Sequence, residues 1–336
     1  MKRAFEMPAA IGLVALAGAA AVIGGRRSAV RQDHRDDELF PGIGSRVEVG
    51  DLLMHVRVLG QEHRGLPTVV FENGMSSPLE LWGWIQPEVA EVTRTVAYDR
   101  AGLGWTPSHK SSPTAEQVST DLERLLEVLD CPGPYILVGH SFGGLLIRHF
   151  AHRRPDQVAG LVLVDSAHPD QFDRSSRQRL GLSPTLSITR QRAMLMSFGL
   201  ARKKSAEETS SLTKGLPGEL VAPAKARLRS ARTWRGTAAE MTAWVEHINP
   251  EIRKVVTPAH CRLAVVTAGA SVEADPIHGV LQEELAGLVT GSKHEILANA
   301  EHMGLLTDRE NGHLVAKVIE EMVLSFGGKQ PSQQGA

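Results

Sequence analysis

Tyr135-Ile136-Leu137-Val138-Gly139-His140-Ser141-Phe142-Gly143-Gly144 is the stretch that decides the fold. Its first four residues are apolar without alternation, as in a strand buried on both faces. Gly139-His140-Ser141-Phe142-Gly143 then turns the chain, and Leu145-Leu-Ile-Arg-His-Phe-Ala-His152 reads as a helix. A Gly-x-Ser-x-Gly pentapeptide alone is weak evidence. Between a buried strand and a helix it is specific, because the serine must sit on a sharp, strained turn that exposes its hydroxyl. Flanking glycines let the backbone turn there without a clashing side chain. The helix N-terminus beyond also favours developing negative charge. Ser141 is therefore a candidate nucleophile.

Working outward, residues 67–73, 95–99, 161–165, 262–268 and 294–298 are further short apolar or β-branched runs. Residues 46–49 and 53–59 flank Gly50-Asp51, a two-residue turn suited to an antiparallel hairpin. Helices fit between the strands. Thr114 and Gln117 have capping-box spacing, and Val118, Leu122, Leu125, Leu126 and Leu129 form one apolar stripe. Leu314, Val315, Val318, Ile319 and Met322 repeat the stripe near the C-terminus. The alternation predicts an α/β fold: a mostly parallel, eight-stranded sheet with helices on both faces. Residues 168–258 break it, with several helical segments and no clear strand, and read as an inserted helical cap. The expected core is 46–167 with 259–327. The cap carries sixteen basic residues against eight acidic ones.

In bulk the chain is unremarkable in composition: 336 residues, 42% hydrophobic and 22% charged, with a net charge of −1. That charge gives no pull toward nucleic acid. Cys131 and Cys261 match no metal spacing and read as small buried residues, with a disulfide open to a secreted body. Lys2 and Arg3 precede an uncharged run over 8–25, closed by Arg26 and Arg27. As a helix that run is about 27 Å long, enough to cross a hydrocarbon core. Residues 1–27 are thus expected to be a membrane anchor. The alternative is a signal segment cleaved near Ala17-Gly18-Ala19, which would release a secreted protein. Residues 28–45, with Asp33, Asp36, Asp37 and Glu38, read as a polar linker.

The motif and its setting resemble the α/β-hydrolase fold family, over roughly residues 46–326. The resemblance implies a triad in the chain order serine, acid, histidine. His302, in Ala300-Glu-His-Met-Gly304 after the last strand, takes the family's histidine position. The acid has two candidates. Asp165 ends Leu161-Val-Leu-Val-Asp165, a position some members use, haloalkane dehalogenases among them. Asp275, in Ala268-Gly-Ala-Ser-Val-Glu-Ala-Asp-Pro276, follows the seventh strand but six residues past Gly269, farther than the common spacing. Asp165 is preferred and Asp275 stays open. The implied oxyanion hole is the amide of Phe142 with that of Met75, in Glu72-Asn73-Gly74-Met75. Asp99, Gly102 and Gly104, in the turn after the fourth strand, read as structural. His140, His168, His278 and His313 lack the placement of His302.

Such a site performs acyl transfer: histidine activates the serine, an acyl-enzyme forms, and water releases it. No metal or organic cofactor is needed. The expected activity is serine hydrolysis of carboxylic esters, small or lipid-like. Amide or peptide hydrolysis, or acyl transfer on the same triad, are alternatives, as is a non-catalytic member that binds a ligand. The expected partner is a small-molecule acyl substrate. An anionic membrane surface is a second, with Leu195, Met196, Phe198 and Leu200 beside Arg202, Lys203 and Lys204 as its contact.

Overall fold

The computed structural model describes residues 7–63, 65–201 and 209–327, with 7–21 as backbone only. Eight strands form one sheet: β1 Ser45–Val49, β2 Leu52–Leu59, β3 Thr68–Glu72, β4 Thr95–Tyr98, β5 Tyr135–His140, β6 Val158–Val164, β7 Arg262–Ala268 and β8 Lys293–Leu297. Their order is β1-β2-β4-β3-β5-β6-β7-β8. The β1–β2 and β2–β4 pairs are antiparallel, and all later pairs are parallel. Gly50, with φ +62°, makes the expected hairpin turn between β1 and β2.

Central strands are apolar throughout because each face has its own core. Val69, Phe71, Ile136, Val138, Val162, Val164 and Val266 face one layer, with Trp82, Val315 and Ile319. Val70, Leu137, Leu161, Leu163 and Val265 face the other, with Leu122, Leu125, Leu126, Ile147 and Phe150. Period-two alternation thus separates two apolar sets rather than an apolar and a polar one. Cys131 and Cys261 are buried free thiols.

The helices used below are α1 Met7–Leu39, α2 Ala115–Val128, α3 Phe142–Arg153, α4 Ser176–Ser197, α5 Gly218–Leu228, α6 Ala231–Ala243, α7 Pro276–Ala286 and α8 Arg309–Leu324. At the start of α2, Thr114 accepts from the Gln117 amide at 3.0 Å, while the Gln117 side chain turns to Asp121. Only half of the expected capping box is made. No strand occurs between 168 and 258 among the described residues, a stretch that holds α4, α5 and α6.

The stretch expected to be a linker is helical as far as Leu39, and α1 packs on α4 and α6. Its acids meet the cap's arginines: Asp37 pairs with Arg227 and Arg232, Asp36 with Arg229, and Asp33 accepts from the Ala231 amide at 3.2 Å. The predicted anchor or signal segment lies largely outside the residues whose side chains are described. Among the described residues no helix is long and apolar enough to cross a membrane. Arg202, Lys203 and Lys204 also lie outside them. Met196, expected to contact lipid, is buried against Ala201 and Ala231.

Candidate active site

Ser141 stands between β5 and α3 with φ 53° and ψ −121°, a left-handed conformation that side chains rarely adopt. Its amide bonds the Val164 carbonyl at 3.0 Å and its carbonyl accepts from Ala167 at 2.9 Å. The flanking glycines are required by close approach. A Cβ on Gly143 would stand 2.6 Å from the Glu72 and Asn73 carbonyl oxygens, and one on Gly139 would meet Gly143 at 2.8 Å.

Asp165 follows β6 and also has positive φ, 41°. Its buried carboxylate receives four donors. Oδ1 accepts from the Ala268 amide at 3.0 Å and His278 Nε2 at 2.8 Å. Oδ2 accepts from Ser271 Oγ at 3.0 Å and His302 Nδ1 at 2.6 Å. These occupy the four lone-pair directions of a carboxylate. Burial alone would raise its pKa, but the hydrogen bonds from His278 and His302 outweigh that and hold it well below the usual carboxylate range. An ionised carboxylate can only accept, so both facing imidazole nitrogens carry their protons. His302 Nε2 is then left with the free lone pair.

Asp275 is occupied elsewhere. It accepts from Ser175 Oγ at 2.5 Å and caps α7 through the Ile277 amide at 3.3 Å. The segment after β7 therefore delivers Ser271 and His278, not a second carboxylate, to His302's partner. His278, which lacks the sequence placement of His302, still reaches Asp165 by a bond that spans 113 residues. His140 points away from the cavity. Its Nε2 lies 3.2 Å from the His302 carbonyl, and burial first, then the nearby His302, push its pKa down to about 3. Neutral His140 thus ties the turn at Ser141 to the loop that carries His302.

The loop after β3 is held from beneath by Arg100, a residue the sequence did not single out. Arg100 is fully enclosed. It donates to the Asn73 carbonyl at 2.5 Å, the Gly74 carbonyl at 3.0 Å and the Glu72 carboxylate at 2.6 Å. Two more bonds, at 2.6 and 3.0 Å, reach Glu240 on α6. Burial opposes the Arg100 charge, and the Glu240 and Glu72 carboxylates overcome it. In a trans peptide the C=O and N–H point oppositely. With the Gly74 carbonyl on Arg100, the Met75 N–H must face away from it. Phe142 is the first residue of α3, so its N–H has no acceptor within the helix. Asn73 is a brace, joining the Tyr98 carbonyl at 2.7 Å and Trp82 Nε1 at 2.6 Å. Asp99 is structural too: it accepts from His55, Leu79 and Trp105.

Ser141, Asp165 and His302 line one cavity of about 360 Å³ with Gln171, Arg177, Gln178, Trp244, Ser271 and His278. Trp244 packs on Phe142 and Phe172, at ring separations of 5.3 and 4.9 Å. No group of three or more His, Cys, Asp or Glu side chains suited to a metal occurs among the described residues.

Residues 69–318 match the alpha/beta hydrolase family model. The chain belongs to that family. Over 116 residues it is 34% identical to the lipase LipV of Mycobacterium tuberculosis, covering 34% of this chain and 42% of LipV. Over 138 residues it is 27% identical to human Epoxide hydrolase 4, covering 39% and 37%. The chain spans less than half the length of the curated relatives it matches. The enol-lactonase from Burkholderia xenovorans LB400 superposes with TM-score 0.61 over 83% of this chain and 99% of its own, at 19% identity. That likeness is one of fold.

Proposed function

We propose that this alpha/beta hydrolase is a serine hydrolase of carboxylic esters, with Ser141 as nucleophile, His302 as general base, Asp165 as the orienting acid, and the Met75 and Phe142 amides as the oxyanion hole. The observation that carries the reading is the 2.6 Å bond from His302 Nδ1 to Asp165. It leaves Nε2 basic in the cavity that Ser141 lines. Ser141 Oγ attacks the ester carbonyl as Nε2 takes its proton. The two amides bind the oxyanion, and loss of one such donor typically costs about 10²–10³-fold in rate. Collapse expels the alcohol, protonated by His302, and water then repeats the sequence on the acyl-enzyme.

Chemistry argues against epoxide opening despite the likeness to Epoxide hydrolase 4. A serine that opened an epoxide would become an ether, with no carbonyl for water to attack, and the enzyme would stall. The Gln171, Gln178 and Arg177 side chains around the cavity favour a short, polar substrate over a long alkyl chain. The test is turnover of p-nitrophenyl esters of graded acyl length. Ser141→Ala is expected to lower kcat by about 10⁴-fold or more with the fold intact. A Ser141→Ala protein that keeps the wild-type rate overturns the assignment.

A further inference from the structure

Asp165 is held by two histidines, one on each oxygen. His302 accounts for Oδ2. Nothing in the acyl-transfer scheme uses His278, yet it lies on the wall of the same cavity with its side chain 14% exposed. It comes from the first turn of α7, whose N-cap is Asp275. The capping bond and the His278 amide bond to the Asp275 carbonyl, at 2.8 Å, set the backbone from which the imidazole reaches Asp165. The ring therefore rests on a fixed helix start.

We propose that His278 is a positioning residue for the hydrolytic site: by donating Nε2–H to Oδ1, it fixes the plane of the Asp165 carboxylate so that Oδ2 meets His302 Nδ1. The inference rests on the triad reading above. A carboxylate joined to its chain by two rotatable bonds needs anchors on the oxygen that does not face the base. The Ala268 amide and His278 are those two anchors, and His278 is the one made by a side chain. Its second effect is electrostatic. Each donor to Asp165 spreads the carboxylate's negative charge and weakens its hold on the protonated form of His302. The titratable groups that face this pair are few. Arg177 and Asp275 line the cavity, and His140 lies against His302 with ring centres 4.6 Å apart. Asp275 is occupied by Ser175, and buried His140 stays neutral.

The test compares His278→Ala, His278→Gln and Ser141→Ala on one p-nitrophenyl ester across pH, with thermal melts of each protein. His278→Ala is expected to lower kcat roughly ten- to hundredfold with KM little changed, a fraction of the ~10⁴-fold that loss of the acid's function costs in serine proteases. The acid limb of its kcat/KM profile should move to higher pH, because Asp165 relieved of one donor holds protonated His302 more tightly. Gln places an N–H near Nε2, so His278→Gln should recover most of the rate and the wild-type limb. If His278→Ala fails to fold, His278→Leu, which fills the space without an N–H, takes its place: a lowered kcat with a displaced limb supports the role, and a wild-type profile at wild-type rate overturns it. His278→Ala matching wild type in kcat and limb, while Ser141→Ala is inactive, overturns the positioning role alone. Activity retained in Ser141→Ala overturns the triad reading itself.

Discussion

At the residue scale, Asp165 is constrained by its four donors. Replacing one oxygen with an amide NH₂, which only donates, sets a donor against a donor whichever way the side chain turns. Asp165→Asn is therefore expected to lower kcat by about 10⁴-fold, as tautomer damage does in serine proteases. Asp275→Asn should leave kcat near wild type and change stability by less than about 1 kcal/mol, since asparagine caps helices as well as aspartate. Steady-state kinetics with denaturant melts on both variants checks the pair, and the reverse ranking would move the acid to Asp275. Ser141 and His302 were legible as candidates because local context and chain order mark them, and the fold brings both to one cavity. The acid was ambiguous, because two strand ends each present a carboxylate and only the fold shows which one His302 reaches. His278 and Arg100 were illegible for a related reason. Their partners lie far off in the chain, at Asp165 and Glu240.

At the scale of elements, the turn at Ser141 is shaped by α3 starting against the loop after β3. Gly143→Ala would drive a methyl into the Glu72 and Asn73 carbonyls, and Arg100, which donates to the Asn73 carbonyl, keeps the second from retreating. The displaced loop carries Met75. We expect kcat to fall by about 10²-fold or more, the scale of losing an oxyanion donor, while KM changes far less. Kinetics at wild-type levels in Gly143→Ala would show that the loop plays no such part. Strands and helices were legible from periodicity, since two-sided burial writes continuous apolar runs. The C-terminal half of α1 was not. Its residues Asp33, Asp36 and Asp37 look like a solvated linker until their partners are beside them: the Ala231 amide for Asp33, Arg229 for Asp36, and Arg227 and Arg232 for Asp37. A helix held by distant ion pairs leaves no apolar stripe to read.

At the scale of the whole molecule, the cap's basic excess is partly answered from outside the cap. Arg227, Arg229 and Arg232 meet α1, and Arg174 meets Glu284. Arg227 is wholly buried and its ion-pair partner is Asp37. Asp37→Asn should destabilise the protein by about 3 kcal/mol, the cost of a buried charge left alone, which a chemical denaturation curve would read. An unchanged midpoint would mean that α1 does not hold the cap. Residues 168–258 reach the candidate site through Trp244, which lines the cavity of Ser141, and through Glu240 on Arg100, so the most direct test uses the intact chain. That measurement is labelling of the full protein with a fluorophosphonate, followed by peptide mass mapping of the adduct. The expected result is one stoichiometric adduct, on Ser141, lost in Ser141→Ala and strongly slowed in His302→Ala. An adduct on another serine, or no adduct on protein of native fold, would contradict it.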